Sequence, residues 1–388
     1  MNATTHGAAN RLNRLNRFWN AARYGNWALR RGEQWTDAVS RPSRAGTRLA
    51  ELDALRGIAA LLVVSFHYTY RYNEIYRHVN PLPFSVPLGK YGVELFFGIS
   101  GFVIFMTLER TRRPLDFVVS RFSRLYPAYW AAMILTTIVV HVGGLRDQQV
   151  SLRAFVENVP MILNLLDIAP VDGAYWTLAV ELCFYGCMFA LYLNRYLTRI
   201  EPILVGWIAL KWLWAAHFGT HHMSWILGAL LIQQYVPFFA IGIVCYRLFN
   251  GATSMSRALG IIGFAVLTEL CVDGWEFGVV AALVAAILLL FSTGRARWLQ
   301  WPPLLSLGAI SYPLYLLHEN IGRTVIHTLE GRGFGESIAV PVAVATALAL
   351  ATLVTFKVER PIMRWIRATY QQRATARDVS LSNTSFQS

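Results

Sequence analysis

Ile338-Ala-Val-Pro-Val-Ala-Val-Ala-Thr-Ala-Leu-Ala-Leu-Ala-Thr-Leu-Val-Thr-Phe356 runs for 19 residues without a charge before Lys357. As helix it would reach about 28 Å, close to the ~30 Å hydrocarbon core of a bilayer. Runs of this kind recur along most of the chain, and spans are expected at 54–72, 91–108, 128–143, 173–194, 201–217, 225–247, 258–272, 276–292, 304–323 and 338–357. Composition agrees: 55% of residues are hydrophobic and 15% charged, against roughly 45–50% and about 25% in soluble domains. A soluble enzyme is therefore excluded. An outer-membrane barrel would need alternating segments of roughly ten residues, which are not seen.

The net charge of +13 is almost all arginine, since lysine occurs only at 90, 211 and 357. In a soluble chain that excess would suggest nucleic acid; in a membrane chain it is read by location, and no nucleic-acid partner is expected. The first 50 residues carry nine arginines and no signal-peptide core. With that end inside, the segments 109–127, 195–200, 248–257, 293–303 and the C-terminus also fall inside, and every one is basic. The fold class expected is all-α: a polytopic membrane protein with about ten transmembrane helices and both termini cytoplasmic. Its parts are a basic tail (1–50), a membrane domain (51–360) and a polar tail (361–388), disordered after about residue 370. Arg11, Arg14 and Arg17 alternate with Leu12, Leu15, Phe18 and Trp19, which reads either as disorder or as a short helix lying on anionic lipid. The outward segment 144–172 holds an apolar run from Phe155 to Leu166, broken by Pro160, that reads as re-entrant or interfacial. Cys183, Cys187, Cys245 and Cys271 sit in or at apolar runs and read as packing residues, with no disulfide framework.

Ionisable groups inside spans cost about 2.5–3.5 kcal/mol each and ask for a reason. Arg56 and His67 are 11 residues apart, which places them on one helix face, roughly 16 Å apart, with Asp53 on the same face. Glu94 opens the second span beside small residues (Gly98, Ser100, Gly101) that permit close helix packing. Glu181 lies on one stripe with Phe184 and Tyr185, and His318 closes Ser311-Tyr312-Pro-Leu-Tyr-Leu-Leu-His318. By the topology above, His67, Glu94, Glu181 and His318 share the outer half of the bilayer and suggest one polar cavity. On the inner side, Arg121 and Arg124 would be helical neighbours able to hold a polyphosphate, or else ordinary positive-inside anchors. His217, His221 and His222 have metal-like spacing but no accompanying carboxylate or cysteine, so no metal site is expected.

Five elements in this order resemble the acyltransferase 3 family over roughly residues 50–360: Arg56 with ten residues to His67, Gly92-Val-Glu-Leu-Phe-Phe-Gly-Ile-Ser-Gly-Phe102, Arg121-x-x-Arg124-Leu-Tyr-Pro, Trp176-Thr-Leu-x-x-Glu181 and Ser311-Tyr-x-Leu-Tyr-Leu-Leu-His318. The resemblance implies a ten-helix domain that takes an acyl group, usually acetyl, from cytoplasmic acyl-coenzyme A to a hydroxyl of a cell-envelope or exported glycan. It implies His67 as the essential histidine, and Arg56, Arg121 and Arg124 as serving the donor. Leu182 departs from the second acidic residue of many relatives, and no esterase-like domain follows the last span.

Residues and resemblance meet in one mechanism. Arg121 and Arg124 hold the phosphate-bearing head, the arm runs past Arg56, and the thioester arrives at His67, which accepts the proton of an attacking sugar hydroxyl. Glu94 or Glu181 would fix the His67 tautomer, and Tyr312, Ser311 or Trp176 would supply an oxyanion donor. The site thus expected comprises His67, Glu94, Glu181, His318 and Tyr312 for chemistry and Arg56, Arg121 and Arg124 for the donor, with no permanently bound cofactor. The partners expected are acyl-coenzyme A, a glycan or lipid-linked saccharide, and the lipids of a bacterial inner membrane. The alternative is a transporter or flippase in which the same His and Glu relay protons; the absence of an internal repeat speaks against the inverted-repeat kind.

Overall fold

The apolar runs fold as helices because a backbone surrounded by lipid must satisfy its own hydrogen bonds. The computed structural model describes residues 44–162, 168–218 and 225–384. The arginine-rich stretch 11–19, Leu163–Leu166 of the re-entrant segment, and the side chains of His217, His221 and His222 lie outside the described residues. The chain divides into Met1–Leu49 and a compact unit, Ala50–Ser388, and the site belongs to the second.

In chain order the described α-helices of six or more residues are α1 (Arg44–Ser65), α2 (Gly92–Arg110), α3 (Pro114–Val142), α4 (Leu152–Asn158), α5 (Trp176–Leu193), α6 (Ile200–Phe218), α7 (Trp225–Leu230), α8 (Val236–Phe249), α9 (Met255–Thr268), α10 (Trp275–Ser292), α11 (Pro302–Leu317), α12 (Glu319–Glu330), α13 (Glu336–Val354) and α14 (Arg360–Thr384). No strand occurs among the described residues. Among the described residues, six helical segments are long and apolar enough to cross a membrane: Pro87–Arg110, Pro114–Val142, Gly173–Leu193, Met255–Asp273, Trp275–Ser292 and Glu336–Ala374. Val236–Phe249 and Pro302–Leu317 are shorter apolar helices.

Three wide π-helical turns occur among the described residues: Phe66–Arg71, between α1 and a further helical turn Tyr72–Tyr76; Glu269–Asp273, which ends α9; and Thr355–Glu359, which joins α13 directly to α14. In the first, side chains of the turn serve carbonyls one turn back: Thr69 Oγ1 donates to Ser65 O (2.7 Å) and His67 Nδ1 to Val63 O (2.9 Å).

Two packing devices hold the bundle. Along α13, Ala339, Ala343, Ala347 and Ala351 are fully buried against a cluster that includes Ala60, Val64 and Tyr68 of the α1 segment and Leu314 of α11. Alanine at every fourth position lets backbones approach without a hydrophobic drive between helices, while Ile338, Val342 and Leu353 point outward. Between α2 and α8 the approach is closer still, because a Cβ built on Gly242 would run into the Gly98 carbonyl. The close packing expected at the start of the second span is thus met. Gly242→Ala should destabilise by about 1–3 kcal/mol, read as a lowered unfolding midpoint in detergent; an unchanged midpoint would show that the helices can part freely.

Two expectations change. The ninth span continues past residue 323 as α12 to Glu330, so most of the loop expected at 324–337 is helical. The C-terminal segment expected to lose order after residue 370 is helix to Thr384: Arg367 Nε donates to Ser123 Oγ (3.0 Å) and the Tyr370 hydroxyl to Asp116 (2.8 Å), tying α14 to α3, and alanine, arginine and glutamine are good helix formers.

Candidate active site

Arg56 from α1 and Arg121 and Arg124 from α3 line one cavity of about 80 Å³, with Glu181 of α5 and Tyr312 and Tyr315 of α11. Arg121 and Arg124 share a face because they are three residues apart on one helix. Arg124 is engaged by Glu359, on the wide turn after α13, whose carboxylate is fully buried. Glu181 accepts hydrogen bonds from Ser100 Oγ (2.7 Å) and the Tyr185 hydroxyl (2.6 Å). Among the described residues neither Arg56 nor Arg121 forms an ion pair, and Arg121 Nε is buried without a partner. Partly desolvated guanidinium groups outside any ion pair can take an anion, and their planar forks suit phosphate. A cavity of this size holds several waters or a small fragment of a ligand, not a whole nucleotide.

Tyr315 joins this cavity to a histidine pair. Its ring lies 5.6 Å from that of His318, and its hydroxyl is 2.9 Å from Thr177 Oγ1. His318 sits between α11 and α12, where its Nδ1 is 2.7 Å from Tyr315 O and its Nε2 3.1 Å from His67 Nδ1. Carbonyls only accept, so Nδ1 carries the proton in both rings. The neutral arrangement follows: His67 Nδ1–H is shared between Val63 O and the His318 Nε2 lone pair, and His67 Nε2 is left with its lone pair free. That nitrogen is 3.4 Å from Glu319 Oε2. Tyr68, next in the chain, fixes the pair from the other side by donating its hydroxyl to His318 O (2.7 Å).

His67 and His318 are thus brought together, as are Arg56, Arg121, Arg124 and Glu181. Glu94 and Glu181 make no hydrogen bond or ion pair to either imidazole; the tautomer of His67 is held by Val63 O and His318 instead. Glu94 is buried with Oε2 lacking a partner. Tyr312 lines the cavity, but its hydroxyl donates to Leu125 O (3.0 Å), and Ser311 donates to Gly308 O (2.8 Å). A hydroxyl has one proton, so Tyr312 ties α11 to α3 and Ser311 bonds back within its own helix rather than offering an oxyanion donor.

Glu319, Arg323, Asp172 and Glu359 are absent from the sequence-derived site. For the first two a signal was present: Glu319 follows His318 and stands four residues before Arg323, the spacing of a helical ion pair, and they are bonded at 2.5 Å. Asp172 and Glu359 have no such local mark.

An acyltransferase-domain family model matches residues 49–356. The chain is similar to exopolysaccharide production protein ExoZ of Rhizobium meliloti (strain 1021), 26% identical over 327 residues, covering 74% of this chain and 93% of that protein. It is similar to nodulation protein 10 of Rhizobium leguminosarum bv. viciae, 27% identical over 330 residues, covering 73% and 83%. With O-acetyltransferase OatA of Staphylococcus aureus (strain NCTC 8325 / PS 47) it is 26% identical over 319 residues, 70% of this chain and 50% of that protein. No solved structure matches.

Proposed function

Because the chain belongs to the acyltransferase 3 family, we propose that it moves an acyl group, in the first instance acetyl, from cytoplasmic acyl-coenzyme A to a hydroxyl of a cell-envelope or exported glycan. One observation carries this reading: a cavity with two guanidinium groups outside any ion pair is joined through Tyr315 and His318 to His67, whose Nε2 carries a lone pair. We place the protein in a bacterial inner membrane with ten passes and both ends cytoplasmic, because each basic connection then lies inside.

Arg56 and Arg121 grip donor phosphate, with Arg124 shared between ligand and Glu359. The thioester reaches His67 past Tyr315. There the acceptor oxygen bonds to the acyl carbon as its proton passes to His67 Nε2; the carbon–sulfur bond breaks, and the thiolate takes that proton from the imidazolium. Charge and atoms balance, and the imidazole returns neutral.

Purified protein, labelled acetyl-coenzyme A and a panel of envelope glycans test the reading. Label should appear on a glycan; a transporter or flippase leaves it on the coenzyme. Arg121→Lys keeps the charge and loses the fork, so it should raise KM for the donor, by tenfold to a hundredfold at the outside, with a smaller change in kcat. Unchanged donor affinity by calorimetry would make Arg121 an anchor of topology only. A reporter placed within 109–127 or after residue 360 should read inside, and one within 144–172 outside; an inward reading for 144–172 overturns the ten-pass arrangement.

A further inference from the structure

Taking His67 as the base proposed above, we propose that Gly173 is a positioning residue for the reaction: its missing side chain is the seat that holds the Glu319 carboxylate beside His67 Nε2. Proton transfer makes the His67 imidazolium, and a carboxylate 3.4 Å away favours that charge. Where that carboxylate stands therefore matters more than that it is present.

Three contacts set its place. Arg323 Nη2 donates to Oε1 at 2.5 Å. His67 faces Oε2, which is buried with no hydrogen-bond partner of its own. On the third side is Gly173, where an ideal Cβ would come within 2.5 and 2.8 Å of the two carboxylate oxygens and 2.9 Å of the carboxyl carbon. Any side chain at 173 must move one partner.

The loop cannot be the partner that moves. Buried Asp172 accepts from its own loop at Ala174 N (3.0 Å) and from the first turn of α12 at Asn320 N (3.0 Å). Asn320 Nδ2 in turn donates to Val171 O (3.0 Å). Val171 and Asp172, just before Gly173, are both fastened to the start of α12 at Asn320. What yields is the carboxylate, the far end of a flexible side chain. A shift of about an ångström keeps Oε1 within ion-pair reach of Arg323, so stability changes little, while misplacement of that size near a reacting group can cost a hundredfold in rate.

Gly173→Ala is thus expected to keep the wild-type unfolding midpoint and donor KM while kcat falls tenfold to a hundredfold. Glu319→Gln should lower kcat at least as much. In the Glu319→Gln background, Gly173→Ala should cost less than a further twofold, because the group it displaces no longer carries charge. A merely structural glycine would lower the midpoint and act equally in both backgrounds. Wild-type kcat in Gly173→Ala, or full additivity of the two changes, overturns the proposal. If His67→Ala is inactive and Gly173→Ala is not, the seat alone is refuted; if His67→Ala keeps its turnover, the base itself is wrong and the seat falls with it.

Discussion

His67→Ala should leave the protein folded and inserted, bind the donor with near wild-type affinity, and lose turnover by two to four orders of magnitude. The replacement removes the base without placing a new charge in the membrane, and general-base transfer contributes about 10²- to 10⁴-fold. Little else is lost, because the His67 ring gives up only its bonds to Val63 O and His318. The comparison with Arg121→Lys is diagnostic: one variant fails in kcat and the other in KM. Turnover of labelled acetyl-coenzyme A above a few per cent of wild type in a well-folded His67→Ala preparation would remove His67 from the chemistry.

Lys211→Ala should have the opposite signature, a large loss of stability without a specific loss of chemistry. Lys211 is 5% exposed and meets Glu269 Oε1 at 2.6 Å, Asp273 Oδ2 at 2.5 Å and the Gln234 carbonyl at 2.9 Å. Glu269 is fully buried, so removal of the ammonium leaves its charge uncompensated, at about 3–5 kcal/mol. A companion change, Glu269→Gln, should recover part of that. The unfolding midpoint in detergent decides: a Lys211→Ala protein that melts with the wild type would mean the cluster is hydrated and weak.

Much of this was legible before any coordinates. Apolar run length announces helices, and the repeated glycines of 92–101 announce close packing. What joined poorly was chemistry that crosses helices. The pairing of Arg56 with Arg121, Arg124 and Glu181 joins three separate helices, whereas by sequence Glu181 falls in the outer half and the Arg121/Arg124 pair on the inner side. Lys211 and Glu269 are charges in apolar segments, and no spacing rule links α6 to the end of α9. The assignment of Glu94 or Glu181 to His67 reasoned from depth alone, whereas hydrogen bonding is settled within about 3 Å. The nearest carboxylate, Glu319, was passed over beside the histidine it follows.

The wide turns after α1, α9 and α13 each amount to one surplus residue in an otherwise regular helix, and they carry His67, the Glu269–Asp273 pair and Glu359 respectively. Such a surplus is a reversible genetic event. Losing a single codon from any of them would return a uniform helix of nearly the same length, with every later residue turned by about 100°. A lineage could in this way lose the placement of these side chains in one step and keep its helices: loss of Phe66, the one residue of the first turn that precedes His67, would shorten the ten-residue count between Arg56 and the histidine by one and, if the proposed mechanism holds, end transfer.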